Sequence, residues 1–326
     1  MTRTGPTGRY APPHPAETLR VRSSDAVTLN VEVHGPSHAP TVVLIHGWTC
    51  RISFWAPVIH ALRDELRIVA YDQRGHGASD VPGRGHYSTQ ALVDDLTAVL
   101  DHTVPAGERA VLAGHSMGGM TVMGAATRES VLSRTRSALL ASTGYDGLVA
   151  SARIVTQRAP RLAAATQRVI LRSTLPTGRI SFLSRAAITY GTLGPGASKE
   201  LATVNAGIVH ACGRRPRGAW GRVLETLDVG DAAASLDVPA RVLVGTADRL
   251  TPPVHALRIA DRLPRCEGVT QLPGIGHMTP LEAPDVVAGL IRELAAADPG
   301  TPAGPRGAGN ACTQDGPDAV EDEDAP

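Results

Sequence analysis

The stretch "VLAGHSMGGM", Val111–Met120, ends an apolar run on a serine set between glycines. A strand passes directly into a helix only where the flanking residues carry almost no side chain, and Gly114 and Gly118 meet that need on either side of Ser116. The turn then pushes the serine oxygen out at the N-terminus of the next helix, where backbone amides and the helix dipole favour developing negative charge. Such a position suits a nucleophile. A G-x-S-x-G pattern is short, so its meaning rests on what surrounds it.

Outward from this turn, apolar runs without alternation recur: "TVVLI" at 41–45, "RIVAY" at 67–71, "AVLAG" at 110–114, "SALLAS" at 137–142, "ARVLVG" at 240–245 and "GVTQL" at 268–272. Helical patterns such as "FWAPVIHALRDEL" and "TQALVDDLTAVLDH" lie between the early ones. Strands buried on both faces and alternating with helices predict a mostly parallel α/β sheet. Upstream, "ETLRVRSSDAVTLNVEVHG" alternates as a β-hairpin does, with its turn expected at Ser23–Asp25. The rhythm breaks over 146–236, where helical stretches including "ARIVTQRAPRLAAATQRVIL" and "PRGAWGRVLETL" predict a helical cap inserted between two parts of the core. The expected organisation is therefore an N-terminal flexible arm (1–16), core (17–145), helical cap (146–236), core (237–297) and a disordered acidic tail (298–326).

Composition narrows the class of partner. A formal net charge of +1 over 326 residues gives no reason to expect nucleic acid. No apolar run approaches the length of a membrane span, and the N-terminus lacks the apolar core of a signal peptide, so a cytoplasmic protein with no integral membrane association is expected. The scattered Cys50, Cys212, Cys266 and Cys312 show no metal-ligand spacing and read as free thiols.

In a parallel α/β sheet, the loops leaving the carboxyl ends of the strands share one edge, so residues remote in sequence converge there. Three further loops carry suitable chemistry: "VLIHGWT", "LVGTADRLTPP" with Asp248, and "LPGIGHMTP" with His277. A serine hydroxyl needs a base to take its proton, and that histidine needs a carboxylate to fix its tautomer. Ser116, Asp248 and His277 follow the chain order of such a triad. The backbone N–H groups of Met117, just after the nucleophile, and Trp48, after "HG", are the expected oxyanion hole. Asp146 in "STGYDGL" is a rival for the carboxylate, while Asp72, Arg74 and His76 are expected to shape their loop, His46 to order backbone, and His115 to line or underlie the site.

With these residues in place the sequence resembles the α/β-hydrolase family over about residues 18–297, through "HGW", "YDQRGHGASD", "GHSMGG", "GTADRLTPP" and "GIGHMTP" in that order. The resemblance implies a mainly parallel eight-stranded sheet with a helical cap, hydrolysis through an acyl-enzyme, and no cofactor or metal. A small-molecule carboxylic ester is the expected substrate. Cleavage of a carbon–carbon bond in a dienone acid, perhydrolase or cofactor-free haloperoxidase chemistry, and acyl transfer or cyclisation use the same groups; a ligand receptor on this fold is the non-enzymatic alternative. Between Asp146 and Glu200 the chain has eight cations and no carboxylate side chain, a bias expected either to be a solvated face or to favour anionic ligands.

Overall fold

The structure, a computed structural model, describes residues 6–154, 160–174 and 180–297. Its sheet has eight strands: β1 (Glu17–Arg22), β2 (Thr28–His34), β3 (Thr41–Ile45), β4 (Arg67–Tyr71), β5 (Ala110–His115), β6 (Thr135–Ala141), β7 (Ala240–Gly245) and β8 (Cys266–Leu272). They lie in the order β1-β2-β4-β3-β5-β6-β7-β8. β1 and β2 pair antiparallel, β2 joins β4 antiparallel, and every pairing from β4 to β8 is parallel.

The apolar runs lack alternation because both faces of the sheet are covered. In β3, Val43 and Ile45 enter one core layer, and Val42 and Leu44 enter the other. The first layer is closed by α2 (Thr89–Thr103) and α3 (Met117–Gly124), which contribute Leu92, Leu96, Met117 and Met120. The second is closed by α1 (Ala56–Leu62) and by the C-terminal helix Pro284–Ala296, through residues such as Val58, Ile59, Val287 and Ile291.

The hairpin loop is longer than the expected turn. It runs from Ser23 to Val27, with Ala26 at φ 68°. A short helix, α4 (Glu129–Leu132), precedes β6. Between β6 and β7 the described residues hold helices and no strand: α5 (Leu148–Ser151), α6 (Pro160–Arg172), α7 (Phe182–Thr192), α8 (Lys199–Ala211), α9 (Arg214–Thr226) and α10 (Gly230–Ala233). Of the stretch read as helical from Ala152, residues 152–154 lie outside the helices and residues 155–159 lie outside the described residues. Helix α6 begins at Pro160, which the first turn tolerates and a helix interior does not. The chain ends its core with α11 (Pro253–Arg262), α12 (Thr279–Glu282) and α13 (Pro284–Ala296).

Part of the segment read as a flexible arm is docked. Gly8–Tyr10 forms a 3-10 turn, Tyr10 is buried, and the Ala11 carbonyl lies 2.9 Å from His60 Nε2. The acidic segment 298–326, and Arg158 and Arg179 of the basic stretch, lie outside the described residues. Among the described residues no helix is long and apolar enough to cross a membrane, and Cys50 and Cys212 are free thiols.

Candidate active site

Ser116 follows β5 directly and is the N-cap of α3, with φ 51° and ψ −117°. Only very close packing produces such a turn. A methyl group on Gly118 would lie 2.0 Å from the Ile45 carbonyl oxygen, and one on Gly114 would lie 2.6 Å from Gly118. The strained serine is pinned by its own backbone: its N–H donates to the Ala141 carbonyl at 3.0 Å, and its carbonyl accepts from Thr143 Oγ1 at 2.7 Å.

The loop after β3 packs against this elbow, since a methyl on Gly47 would lie 3.0 Å from Ser116 Cβ. Two buried neutral histidines set its backbone. His46 Nε2 accepts from Gln73 N at 3.0 Å, leaving Nδ1–H to donate to the Gly47 carbonyl at 2.7 Å. His76 Nε2 accepts from Thr49 N at 3.2 Å, and Thr49 itself has φ 63°. Burial lowers the pKa of His46 to about 4 and that of His76 to about 3, His46 adding to the second shift. The Gly47 carbonyl also accepts from Cys50 N at 3.1 Å. Neither the Trp48 nor the Met117 N–H meets an acceptor among the described residues.

At the far side of the sheet edge, His277 Nδ1–H donates to Asp248 Oδ2 at 2.8 Å, and both side chains are buried. Asp248 is fixed in turn by the N–H groups of Leu250 (2.8 Å) and Thr251 (2.9 Å) and by Thr251 Oγ1 (2.8 Å). Asp146 is engaged elsewhere: Arg258 Nη2 donates to it at 2.8 Å. Ser116 and His277 share no hydrogen bond among the described residues. Their loops are joined through His115, whose Nε2–H donates to the His277 carbonyl at 2.8 Å and whose ring lies 4.9 Å from that of His277. Burial holds His115 neutral.

Asp72 and Arg74 are structural struts. Asp72 accepts from the N–H groups of Ile52 and Ala78, while the buried Arg74 guanidinium pairs with Asp95 at 2.6 Å and Asp25 at 2.8 Å. Two supports of the site escape a reading of the sequence alone. Thr251 stands three residues after Asp248, and Glu282 accepts from the N–H groups of Gly276, Met278 and Gly194, tying the histidine loop to the helical insertion. Burial raises the Glu282 pKa against those donors. The Thr251 spacing resembles a local side-chain turn, a signal too common to single out.

Two open clefts, of about 1090 and 1230 Å³, border neither Ser116 nor His277. Among the described residues no three His, Cys, Asp or Glu side chains converge as metal ligands.

Residues 42–290 match the alpha/beta hydrolase family. The chain belongs to that family. This α/β-hydrolase is 27% identical over 237 residues to 3-oxoadipate enol-lactonase 1 of Acinetobacter baylyi, covering 72% of this chain and 81% of that protein. Its fold is similar to that of the enol-lactonase of Burkholderia xenovorans LB400 (TM-score 0.69, 22% identity, 86% of this chain and 100% of that one). It is equally similar to a thermophilic esterase of Thermogutta terrifontis (TM-score 0.69, 24% identity, 85% and 97%).

Proposed function

We propose that this α/β-hydrolase cleaves a carboxylic ester or related acyl bond of a small molecule through an acyl-enzyme, with residues 146–236 as a cap over the site. Ser116 attacks the carbonyl, His277 takes the serine proton and returns it to the leaving alcohol, and Asp248 holds the His277 tautomer and stabilises the imidazolium. The N–H groups of Trp48 and Met117 stabilise the tetrahedral oxyanion. Water then attacks the acyl-enzyme with His277 as base, releasing the acid and restoring Ser116. The observation that carries this reading is the buried His277–Asp248 pair at 2.8 Å, its loop bonded through His115 to the strained turn that presents Ser116. The lactonase and esterase names of similar proteins support the acyl substrate.

The test is covalent. An organophosphonate is expected to add to Ser116, detected by peptide mass, and to abolish turnover of a short-chain ester. Ser116→Ala is expected to lose activity by several orders of magnitude, ~10³-fold or more. Full hydrolysis by that variant would exclude the mechanism.

A further inference from the structure

The outer face of α7 is apolar and uncovered. Phe182 is 74% exposed, Leu183 77% and Tyr190 54%, and Ala186 and Ala187 between them are exposed as well. Leu183, Ala187 and Tyr190 recur at the i, i+4, i+7 spacing of a single helical stripe, with Phe182 and Ala186 beside it. Helix-facing side chains normally bury such a stripe, and an uncovered one marks a surface that meets something apolar.

Cations border this stripe. Arg185 lies on α7 with its guanidinium 6.0 Å from the Phe182 ring centre, and Arg249 stacks 4.4 Å over Tyr190. Arg153 is exposed, and its N–H donates to the Arg249 carbonyl. The stretch from Asp146 to Glu200, which contains α7, has eight cations and no carboxylate side chain. Further along it, Arg168 and Arg172 are partly offset by Glu225 of α9, at 3.2 and 2.5 Å. Large apolar side chains projecting between flexible guanidinium groups are complementary to a layer with anionic headgroups above hydrocarbon. A second copy of this chain fits less well, because a two-fold contact sets the same Arg153, Arg185 and Arg249 against themselves.

The last turn of α7 reaches both loops of the site. The Tyr190 carbonyl accepts from Arg249 Nη1 at 2.9 Å, next to Asp248, and the Thr192 carbonyl accepts from His277 N at 2.8 Å. A surface that holds α7 therefore lies one helix away from the histidine and its carboxylate. We propose that the apolar face of α7 docks this enzyme on an anionic lipid surface and draws its ester substrates from that layer. The substrate half of this statement rests on the ester-hydrolase reading; the docking half does not.

The experiment is vesicle flotation of the full chain carrying Ser116→Ala, so that no lipid is consumed. The probes are phosphatidylglycerol–phosphatidylcholine vesicles and vesicles of phosphatidylcholine alone. Flotation with the anionic vesicles is expected at low salt, lost as salt is raised and weak on the zwitterionic ones. The double substitution Phe182→Gln, Leu183→Gln is expected to cut the floated fraction roughly tenfold. With Ser116 restored, the same double variant is expected to turn over a soluble short-chain ester as the parent does. Should it lose that activity through misfolding, Arg153→Glu with Arg185→Glu decides, with the same expected loss of flotation. The proposal is overturned if the Ser116→Ala chain does not float with anionic vesicles, or if the substitutions leave flotation unchanged. It is also overturned if they only convert a dimer to a monomer in sedimentation velocity. Flotation by a protein that hydrolyses no ester would remove the hydrolase reading and leave the docking surface standing.

Discussion

Ser116 occupies backbone space that an L-residue enters only under constraint, at a cost of about 1–3 kcal/mol that the surrounding fold must offset. That constraint makes the serine recognisable from its glycines alone, since only residues without side chains allow β5 and α3 to meet so closely. The acid is harder to choose from sequence. Asp146 and Asp248 both follow strands of the parallel sheet, and their partners distinguish them: Asp248 receives the His277 Nδ1–H, whereas Asp146 receives Arg258. If Asp248 fixes the histidine tautomer, Asp248→Asn leaves a near-isosteric side chain that offers the wrong group to Nδ1. Its kcat is expected to fall by ~10³–10⁴. Asp146→Asn keeps an acceptor for Arg258 and is expected to change kcat by less than about tenfold. Steady-state kinetics of the two purified variants on one soluble ester compares them, and a larger loss at Asp146 would transfer the role.

At the scale of elements, the loop 46–49 between β3 and α1 depends on two rings remaining neutral. His46 must accept at Nε2 from Gln73, and His76 must accept at Nε2 from Thr49; a proton on either nitrogen turns an acceptor into a second donor facing an N–H. Folded pKa values of about 4 and about 3 lie below the unfolded value of 6.5. The unfolded chain therefore binds the extra protons first as pH falls, and stability is full above about pH 6.5 and declines from there towards the folded values. The loss is on the order of 3 kcal/mol per ring by pH 4. Asp72 and Glu282, whose pKa values burial raises, take up protons in the folded state and oppose it at the acid end. Denaturant unfolding followed from pH 7 to 4.5 is expected to show a falling free energy with net proton uptake on unfolding. A flat profile would mean that these rings do not gate the loop. The elements themselves were largely legible in the sequence. β3, β5 and β7 are mainly apolar runs because helices cover both faces, and hairpin alternation survives in β1, the edge strand, and in its neighbour β2. What stayed hidden are contacts made between elements: Trp48 Nε1–H to the Arg217 carbonyl, Glu282 to Gly194, and the docked Tyr10. Each depends on how the insertion or the N-terminal segment folds back on the sheet, which no local pattern encodes.

Over the whole molecule, a net charge of +1 conceals a segregation of sign. The stretch between Asp146 and Glu200 carries eight cations and no acid, whereas residues 298–326 carry seven acids and one arginine. Some of the basic charge is neutralised locally, as at Arg168 and Arg172 by Glu225, but Arg153 and Lys199 are exposed and in no ion pair among the described residues. A field of this kind acts over a distance of about 10 Å at 0.1 M salt, far enough to bias which substrates reach the site without touching them. For a negatively charged ester, kcat/KM is therefore expected to fall as salt rises from 20 mM to 500 mM, by roughly threefold to tenfold. A neutral ester of similar size is expected to change little. Removing the acidic segment by ending the chain at Ala297 takes away the opposing charge, so the salt dependence for the anionic ester is expected to steepen. Stopped assays of the paired esters on both chain lengths measure it. Equal salt responses for the two esters, unaltered by the truncation, would confine the basic stretch to solvation and leave substrate selection to contacts inside the site.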